Sequence, residues 1–232
     1  ITVYTNATVQ YVQNDITAVI KDPSGEHEVS FTKLLLAIGR VPVIPEGLET
    51  ANIDTDEQRL LIDSQYRTSN RAVYAIGDVA QSHKFTHTAD DIARQVVKHI
   101  ASRGFLRVNR RRAVPKVTYT EPEIAQVGML EEEALAKYGA ERIMRIDVPF
   151  TLNDRAKTDE ATDGHLTVTV RRLGGAVLGA NIIGPAAGEL ISLFTLAINN
   201  RLSLWRLGRT IYAYPTYSLV VKKAADYFFA QQ

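Results

Sequence analysis

RAVYAIGDVA, residues 71–80, carries an apolar stretch from Val73 to Ile76 that stops at Gly77–Asp78. Such a stretch reads as a buried strand, and an acid just past its end lies where open α/β sheets hold ligands, outside the carboxyl ends of the strands. Gly77 lets a ligand come close to the backbone. Further on, Ala89, Ile92, Ala93, Val96, Val97 and Ile100 recur at helical spacing, the apolar stripe of an amphipathic helix. Thr88 with Asp91 three positions later has the form of a capping box, which places the helix start at residues 86–88. A helix start presents free N–H groups and a positive dipole end, a receptor for a partly negative oxygen. One carboxylate for hydroxyls and one helix mouth for an oxygen would share a site. The alternative is a plain turn, because strand–Gly–Asp also closes loops that bind nothing.

The 232 residues are 45% hydrophobic, enough for one large or two modest domains with their own cores. Lysine and arginine total 27 against 26 acids, a formal charge of +1, which excludes the broad basic surface that nucleic acid demands. No apolar run approaches bilayer length, and ITVYTNATVQ has neither a basic leader nor a cleavage pattern. The expectation is a cytoplasmic protein with no membrane segment. The absence of cysteine excludes disulfides, thiolate metal ligands and a cysteine nucleophile within these residues. Ile1 opens directly on a strand-like alternation, and the expectation is a piece of a longer protein.

Toward the N-terminus, Val3 to Phe31 reads as a β-meander whose second turn is Asp22-Pro23-Ser24-Gly25. LLLAIG, residues 34–39, is the kind of apolar run that suits a strand covered on both faces, ended by Gly39 and Pro42. Residues 40–70 are loop-rich, with Leu60-Leu61-Ile62 a short strand. RGFLRVNRRRAVP, residues 103–115, is polar, basic and closed by proline, the best domain boundary in the chain. The rhythm then changes. VTYT, a short helix over EEEALAKY closed by Gly139, RIMRIDVPF, HLTVTVRR, a Gly174–Gly175 turn and AVLGANIIG read as mostly antiparallel strands. Helices follow over Leu190 to Ile198 and over Ser218 to Phe229, so this half is α+β with helices on one face of its sheet.

Several features have bland readings. His83 and His87 lie four apart, but with no third ligand evident no metal is expected. Arg110-Arg111-Arg112 reads as a solvated interdomain linker, and Glu131-Glu132-Glu133 serves the start of its helix. Gly188–Glu189 is explained by capping and first-turn charge. Phe194, Trp205, Tyr212 and Tyr214 read as core or dimer interface, since the neutral charge balance argues against base stacking.

LLLAIGRVP, YAIGDVA, FTHTADDIARQVV, VTYTEPEIAQVG, VPFTLNDRA, LGANIIGPAAGELI and YAYPTYS keep their order and spacing from Thr32 to Phe229. Together they resemble the C-terminal half of the FAD-dependent pyridine nucleotide-disulfide oxidoreductases, which include dihydrolipoamide dehydrogenase, glutathione reductase and mercuric reductase. The resemblance implies that residues 1–38 end an NAD(P)-binding domain, 39–112 complete a Rossmann-like FAD domain, and 113–232 form an α+β dimerisation domain with an antiparallel sheet. It implies that Asp78, after Gly77, holds a ribitol hydroxyl of FAD, that Thr86 and His87 sit against the flavin pyrimidine edge, and that Gly39 lies near the nicotinamide nucleotide. Electrons would pass from NAD(P)H through FAD to a small-molecule acceptor. The family's GxGxxG turns and CxxxxC pair are absent from these residues, so the chain in isolation is expected to be inactive, a homodimerisation module.

One departure bears on the acceptor. Many relatives end in HPTxxE, whose His and Glu reach into the partner's active site. Here Tyr214 stands at the His position and Leu219 at the Glu position. Tyrosine, with an ordinary pKa near 10, stays protonated and mainly donates a hydrogen bond, so poor reduction of lipoamide- or glutathione-like disulfides is expected. Mercuric reductases also place tyrosine here, but their C-terminal cysteine pair is absent from YFFAQQ. The alternative is that Tyr214 merely packs at a dimer seam. A homodimer through residues 113–232 is expected, because its two helices read as more apolar than one small sheet can cover.

Overall fold

A computed structural model describes residues 1–56, 58–110 and 112–231. The first sheet follows from local chemistry. Strands β1 (Thr8–Gln13), β2 (Thr17–Asp22) and β3 (Gly25–Ser30) form an antiparallel meander in the order β1-β2-β3. At the second turn, Asp22 Oδ1 accepts from the backbone N–H groups of Ser24 at 2.7 Å and Gly25 at 3.1 Å, while Gly25 adopts φ +137°. Hydrogen bonds from the Ser24 and His27 side chains also hold the Asp22 carboxyl down at about 2. The sheet buries only Ala18, Val19 and Ile20 of β2.

The second sheet holds the main core. Its order is β4 (Lys116–Thr118), β5 (Glu123–Gly128), β8 (Val177–Gly184), β7 (His165–Arg171), β6 (Ile143–Pro149), and every neighbouring pair is antiparallel. Ile146, Val168, Ala180 and Val127 lie in one cross-strand row, and Val148, Leu166, Ile182 and Ala125 in another. Both rows face α4 (Ala187–Asn199) and α6 (Leu219–Ala230), which contribute Leu190, Ile191, Phe194, Val220, Ala224 and Phe228 to the same core. The opposite face carries the row Asp147, Thr167, Asn181, Gln126. Alternation of apolar and polar residues therefore places α4 and α6 on one face, as the sequence pattern requires. Short helices α2 (Glu131–Tyr138), α3 (Asp154–Thr158) and α5 (Leu204–Gly208) complete this half. Glu133 Oε2 accepts from the Leu130 N–H at 2.9 Å, so an acid of the Glu131–Glu133 run does serve the start of α2. Gly139 at φ +81° ends that helix.

Between the two sheets in chain order comes α1 (Thr86–Ala101), which buries Thr88, Ile92, Val96 and His99. It rests on a small cluster of Tyr66, Ile92, Val96 and Val108. The expected stripe departs from the structure at its end: Val97 is 63% and Ile100 50% exposed, and the buried face turns to His99 instead. Thr88 forms no capping box, because the N-cap position is Phe85 and no side chain caps the helix.

Three expected strands do not form. Leu34–Gly39 is irregular, with Leu35 86% and Ile38 91% exposed. Leu60–Ile62 and Val73–Ile76 take part only in isolated bridges, Thr55 with Leu60 and Arg67 with Tyr74. A strand covered on both faces needs neighbours distant in sequence, and none of the described strands lies beside these segments. The meander needs only the residues next to it. β5, α3 and α5 were not anticipated.

Candidate functional site

Asp78 lies in a single 3-10 turn, Gly77–Val79, that packs against α1. Gly77 has φ +78°, a conformation that disfavours any side chain, and the space a Cβ would enter faces Ala89 Cβ at 3.8 Å. The acid therefore sits beside the first turns of the helix. Its side chain is 39% exposed and faces Arg40, whose Nη1 is 3.9 Å from Asp78 Oδ2. Arg40 Nη1 also donates to the Lys84 carbonyl at 3.2 Å, and Lys84 Nζ returns to the Arg40 carbonyl. This clasp brings the residue after Gly39 to the acidic turn. Gly39 itself has φ +118° and open space where a Cβ would stand.

Phe85 has extended geometry as N-cap, and its carbonyl accepts from the N–H groups of Thr88 and Ala89, each at 3.1 Å. Thr86 and His87 thus present the N–H groups of the helix mouth, where no earlier carbonyl is in register. Both are exposed. The His87 ring stacks on Phe85 at 5.2 Å, and its Nε2 lies 3.0 Å from the Pro115 carbonyl. His83 stacks on Phe85 at 6.3 Å. Among the described residues no group of three or more His, Cys, Asp or Glu side chains could hold a metal ion.

Three clefts meet at Ser82. One, of about 560 Å³, is lined by Asp78, Pro42 and Lys84. A second, of about 740 Å³, is lined by Thr86, His87, Arg40, Tyr119 and Lys116. The third, of about 460 Å³, runs between α1 and residues 109–115. A carboxylate and a helix mouth therefore border adjoining clefts that share Ser82 and Lys84. The donor set fits an oxygen-rich dinucleotide such as FAD. Sequence reasoning missed Arg40 and Lys84, since no local pattern marks a contact 44 residues apart.

Tyr214 lies elsewhere and lines none of these clefts. It is 72% exposed, and its hydroxyl donates to Asp154 Oδ2 at 3.3 Å. Asp154 is held below the ordinary carboxylate range by its hydrogen bond from Lys157, with Tyr214 adding to the effect. The segment carrying Tyr214 is tethered by Asn153, which is fully buried. Its Nδ2 donates to the carbonyls of Thr216 at 3.2 Å and Tyr217 at 3.1 Å, and its Oδ1 caps α3 through the Ala156 N–H. Leu219 begins α6.

The remaining aromatics divide. Phe194 is fully buried in the core, whereas Trp205 is 42% exposed beneath the Arg209 guanidinium. The linker arginines are not simply solvated. Arg110 covers the Tyr66 ring at 5.0 Å and Arg112 pairs with Asp91, while Arg111 lies outside the described residues. At the start of α4, Gly188 N–H donates to Glu123 Oε2 at 2.8 Å, so an acid from β5 completes that helix end.

Residues 1–93 match the model of the pyridine nucleotide-disulphide oxidoreductase family, and residues 114–225 match that family's dimerisation domain. The chain belongs to this family, whose members use FAD and NAD(P)H. It is 38% identical over 194 residues to the mitochondrial dihydrolipoyl dehydrogenase of Schizosaccharomyces pombe, covering 82% of this chain and 37% of that protein. The corresponding pig enzyme is 37% identical over 193 residues, again covering 82% and 37%. Among solved structures, LpdA from Mycobacterium tuberculosis superposes with a TM-score of 0.84 at 29% identity, covering 96% of this chain and 48% of that one. The HOCl-induced flavoprotein disulfide reductase RclA from Escherichia coli shares the fold, with a TM-score of 0.82 at 24% identity, over 95% of this chain and 51% of that one. The chain thus spans well under half the length of these curated relatives and about half that of these solved ones. Among the described residues no helix is long and apolar enough to cross a membrane.

Proposed function

We propose that this chain forms part of a flavin-dependent oxidoreductase that passes electrons from NAD(P)H through FAD to a small acceptor. The observation that carries the proposal is the packing of the Gly77–Val79 turn, which carries Asp78, against α1, whose first turn leaves the N–H groups of Thr86 and His87 free. Asp78 accepts hydrogen bonds from ribitol hydroxyls. The helix mouth donates to a carbonyl oxygen of the heterocycle, and its dipole favours charge developing there. Gly39 borders the nicotinamide side, and Arg40 and Lys84 fix the loop that joins the two. Bound flavin would supply the two-electron relay, and the protein's part is orientation and electrostatics. Residues 1–38, 39–112 and 113–232 act as the end of the NAD(P) domain, part of the FAD domain and the dimerisation domain.

The acceptor is a small molecule other than a lipoamide- or glutathione-like disulfide, as in mercuric reductases. Tyr214 supports this reading: its hydroxyl donates to Asp154, and a phenol cannot shuttle protons near neutrality as a histidine does. We place the protein in the cytoplasm as a homodimer joined through residues 113–232, a reading supported by the match to a dimerisation domain. The isolated chain acts as a dimerisation module.

Equilibrium dialysis of FAD against the whole gene product tests the central assignment. Asp78→Asn is expected to weaken retention at least tenfold, and equal retention would overturn it. In the same protein, Tyr214→His with Leu219→Glu is expected to raise disulfide reductase activity, and an unchanged rate would refute the account of the acceptor.

A further inference from the structure

Tyr214 is well exposed, yet the chain around it is firmly held. It stands in a turn closed by the Thr216 hydroxyl, which donates to the Ala213 carbonyl at 2.7 Å. The next carbonyls, of Thr216 and Tyr217, accept from the buried Asn153 amide, whose oxygen caps α3. A second tie runs to the residue after α3: the Tyr217 hydroxyl donates to Asp159 Oδ2 at 2.8 Å, and Arg155 Nε donates to the same oxygen at 2.7 Å. The turn and the helix are thus fastened at two points, and Asp154, the first residue of α3, meets Tyr214. Asp154 Oδ1 accepts from Lys157 Nζ at 3.1 Å, and Oδ2 accepts from the Tyr214 hydroxyl at 3.3 Å. Lys157, with smaller contributions from Tyr214 and Lys223, holds this carboxyl below the ordinary carboxylate range. An ionised carboxylate can only accept, and a phenol has a single O–H to give. With that O–H turned to Asp154, the Tyr214 hydroxyl shows its oxygen lone pairs to whatever approaches from solvent.

We propose that Asp154 is a positioning residue: it turns the Tyr214 hydroxyl toward α3, so that the oxidising substrate meets a hydrogen-bond-accepting oxygen, and substrates bearing a donor group are favoured over those bearing only carbonyl oxygens. The inference rests on the reading that Tyr214 meets the electron acceptor. Asp154 acts through Tyr214 and takes no part in the electron transfer itself. The leucine at position 219 offers no acceptor, and the acid that orients the phenol comes instead from 60 residues before it.

The test is steady-state NAD(P)H oxidation by the whole gene product with menadione as the probe, a quinone that carries carbonyl acceptors and no N–H or O–H donor. Asp154→Ala frees the phenol O–H to donate to the quinone, so KM for menadione should fall roughly fivefold, the worth of one hydrogen bond, with kcat held within about twofold. Asp154→Asn keeps an oxygen that accepts and should leave KM near its original value. In a Tyr214→Phe background Asp154→Ala should change nothing further. A merely structural role would raise KM or leave it alone, in both backgrounds. Ultraviolet resonance Raman supplies a readout that needs no turnover: the difference spectrum between the protein and its Tyr214→Phe variant isolates Tyr214, which should register as a hydrogen-bond donor and lose that character in Asp154→Ala. A KM that does not fall, or that falls equally without the Tyr214 hydroxyl, would overturn the positioning role and leave the flavoenzyme reading standing. A protein that holds no FAD and oxidises no NAD(P)H would refute that reading instead, and the Raman comparison would still decide, since a Tyr214 spectrum unchanged by Asp154→Ala overturns the proposal.

Discussion

Residues 113–232 and residues 1–112 put their apolar side chains to different effect. The former build one continuous core, in which Phe150, Phe194, Leu166 and Leu204 are among the fully buried side chains. The latter hold two small clusters, around Tyr66 and around Leu60, and leave Leu35, Leu36, Ile38, Val41 and Val43 more than two-thirds exposed. Antiparallel strands joined by short turns find their partners locally, at low loop-closure cost, whereas runs suited to a doubly covered sheet depend on distant neighbours. The contrast teaches that the two halves have separate tasks. The well-packed half supplies rigidity, and the candidate ligand-binding residues Gly39, Asp78, Thr86 and His87 all lie in the half with the lesser core.

The contrast can be broken by substitution. Phe194→Ala should cost about 4 kcal/mol, the range for deleting a large buried aromatic, as a fall in the urea midpoint. A loss below about 1 kcal/mol would mean that the large core is not as closely packed as described. Asn153→Ala, which strips two carbonyl contacts and a helix cap, should cost about 2 kcal/mol and release the segment carrying Tyr214 to proteolysis. Ile92→Val, in the smaller cluster, should cost roughly 1 kcal/mol. Leu35→Ser should leave the midpoint unchanged within about 0.5 kcal/mol, because that side chain is already in water. A large loss there would show that the run is covered in solution.

The smallest effect is electrostatic. Burial works to raise the Asp147 carboxyl, but hydrogen bonds from Arg145, His165 and Thr167 outweigh it and hold the group at about 2. A folded-state value below the unfolded one adds stability above about pH 4, which is lost as pH falls toward 2. The pair is half-exposed, so screening keeps the contribution small. Asp147→Asn should flatten the acid limb of the stability profile and leave the neutral region nearly unchanged.

Much of this was legible in the sequence, and unevenly so. The strands at 143–149, 165–171 and 177–184 follow from alternation, and α2 was marked by its acids and by Gly139. The start of α1 at Thr86 agrees with the sequence expectation, although Phe85 and not Thr88 occupies the cap. Leu34–Gly39 and Val73–Ile76 carry strand composition, but composition cannot say whether a partner lies alongside. At the site, Gly77–Asp78 stood out because glycine and an acid end an apolar stretch. Arg40, Lys84 and Asp154 did not, because each acts through a contact that chain order does not encode.

Native-state hydrogen exchange measures the difference between the halves residue by residue. The amides of β7, β8 and α4 should exchange only through global opening, whereas those of residues 34–43 and 72–80 should exchange at least a hundredfold faster through local opening. Equal protection in the two regions would contradict the division of labour described above.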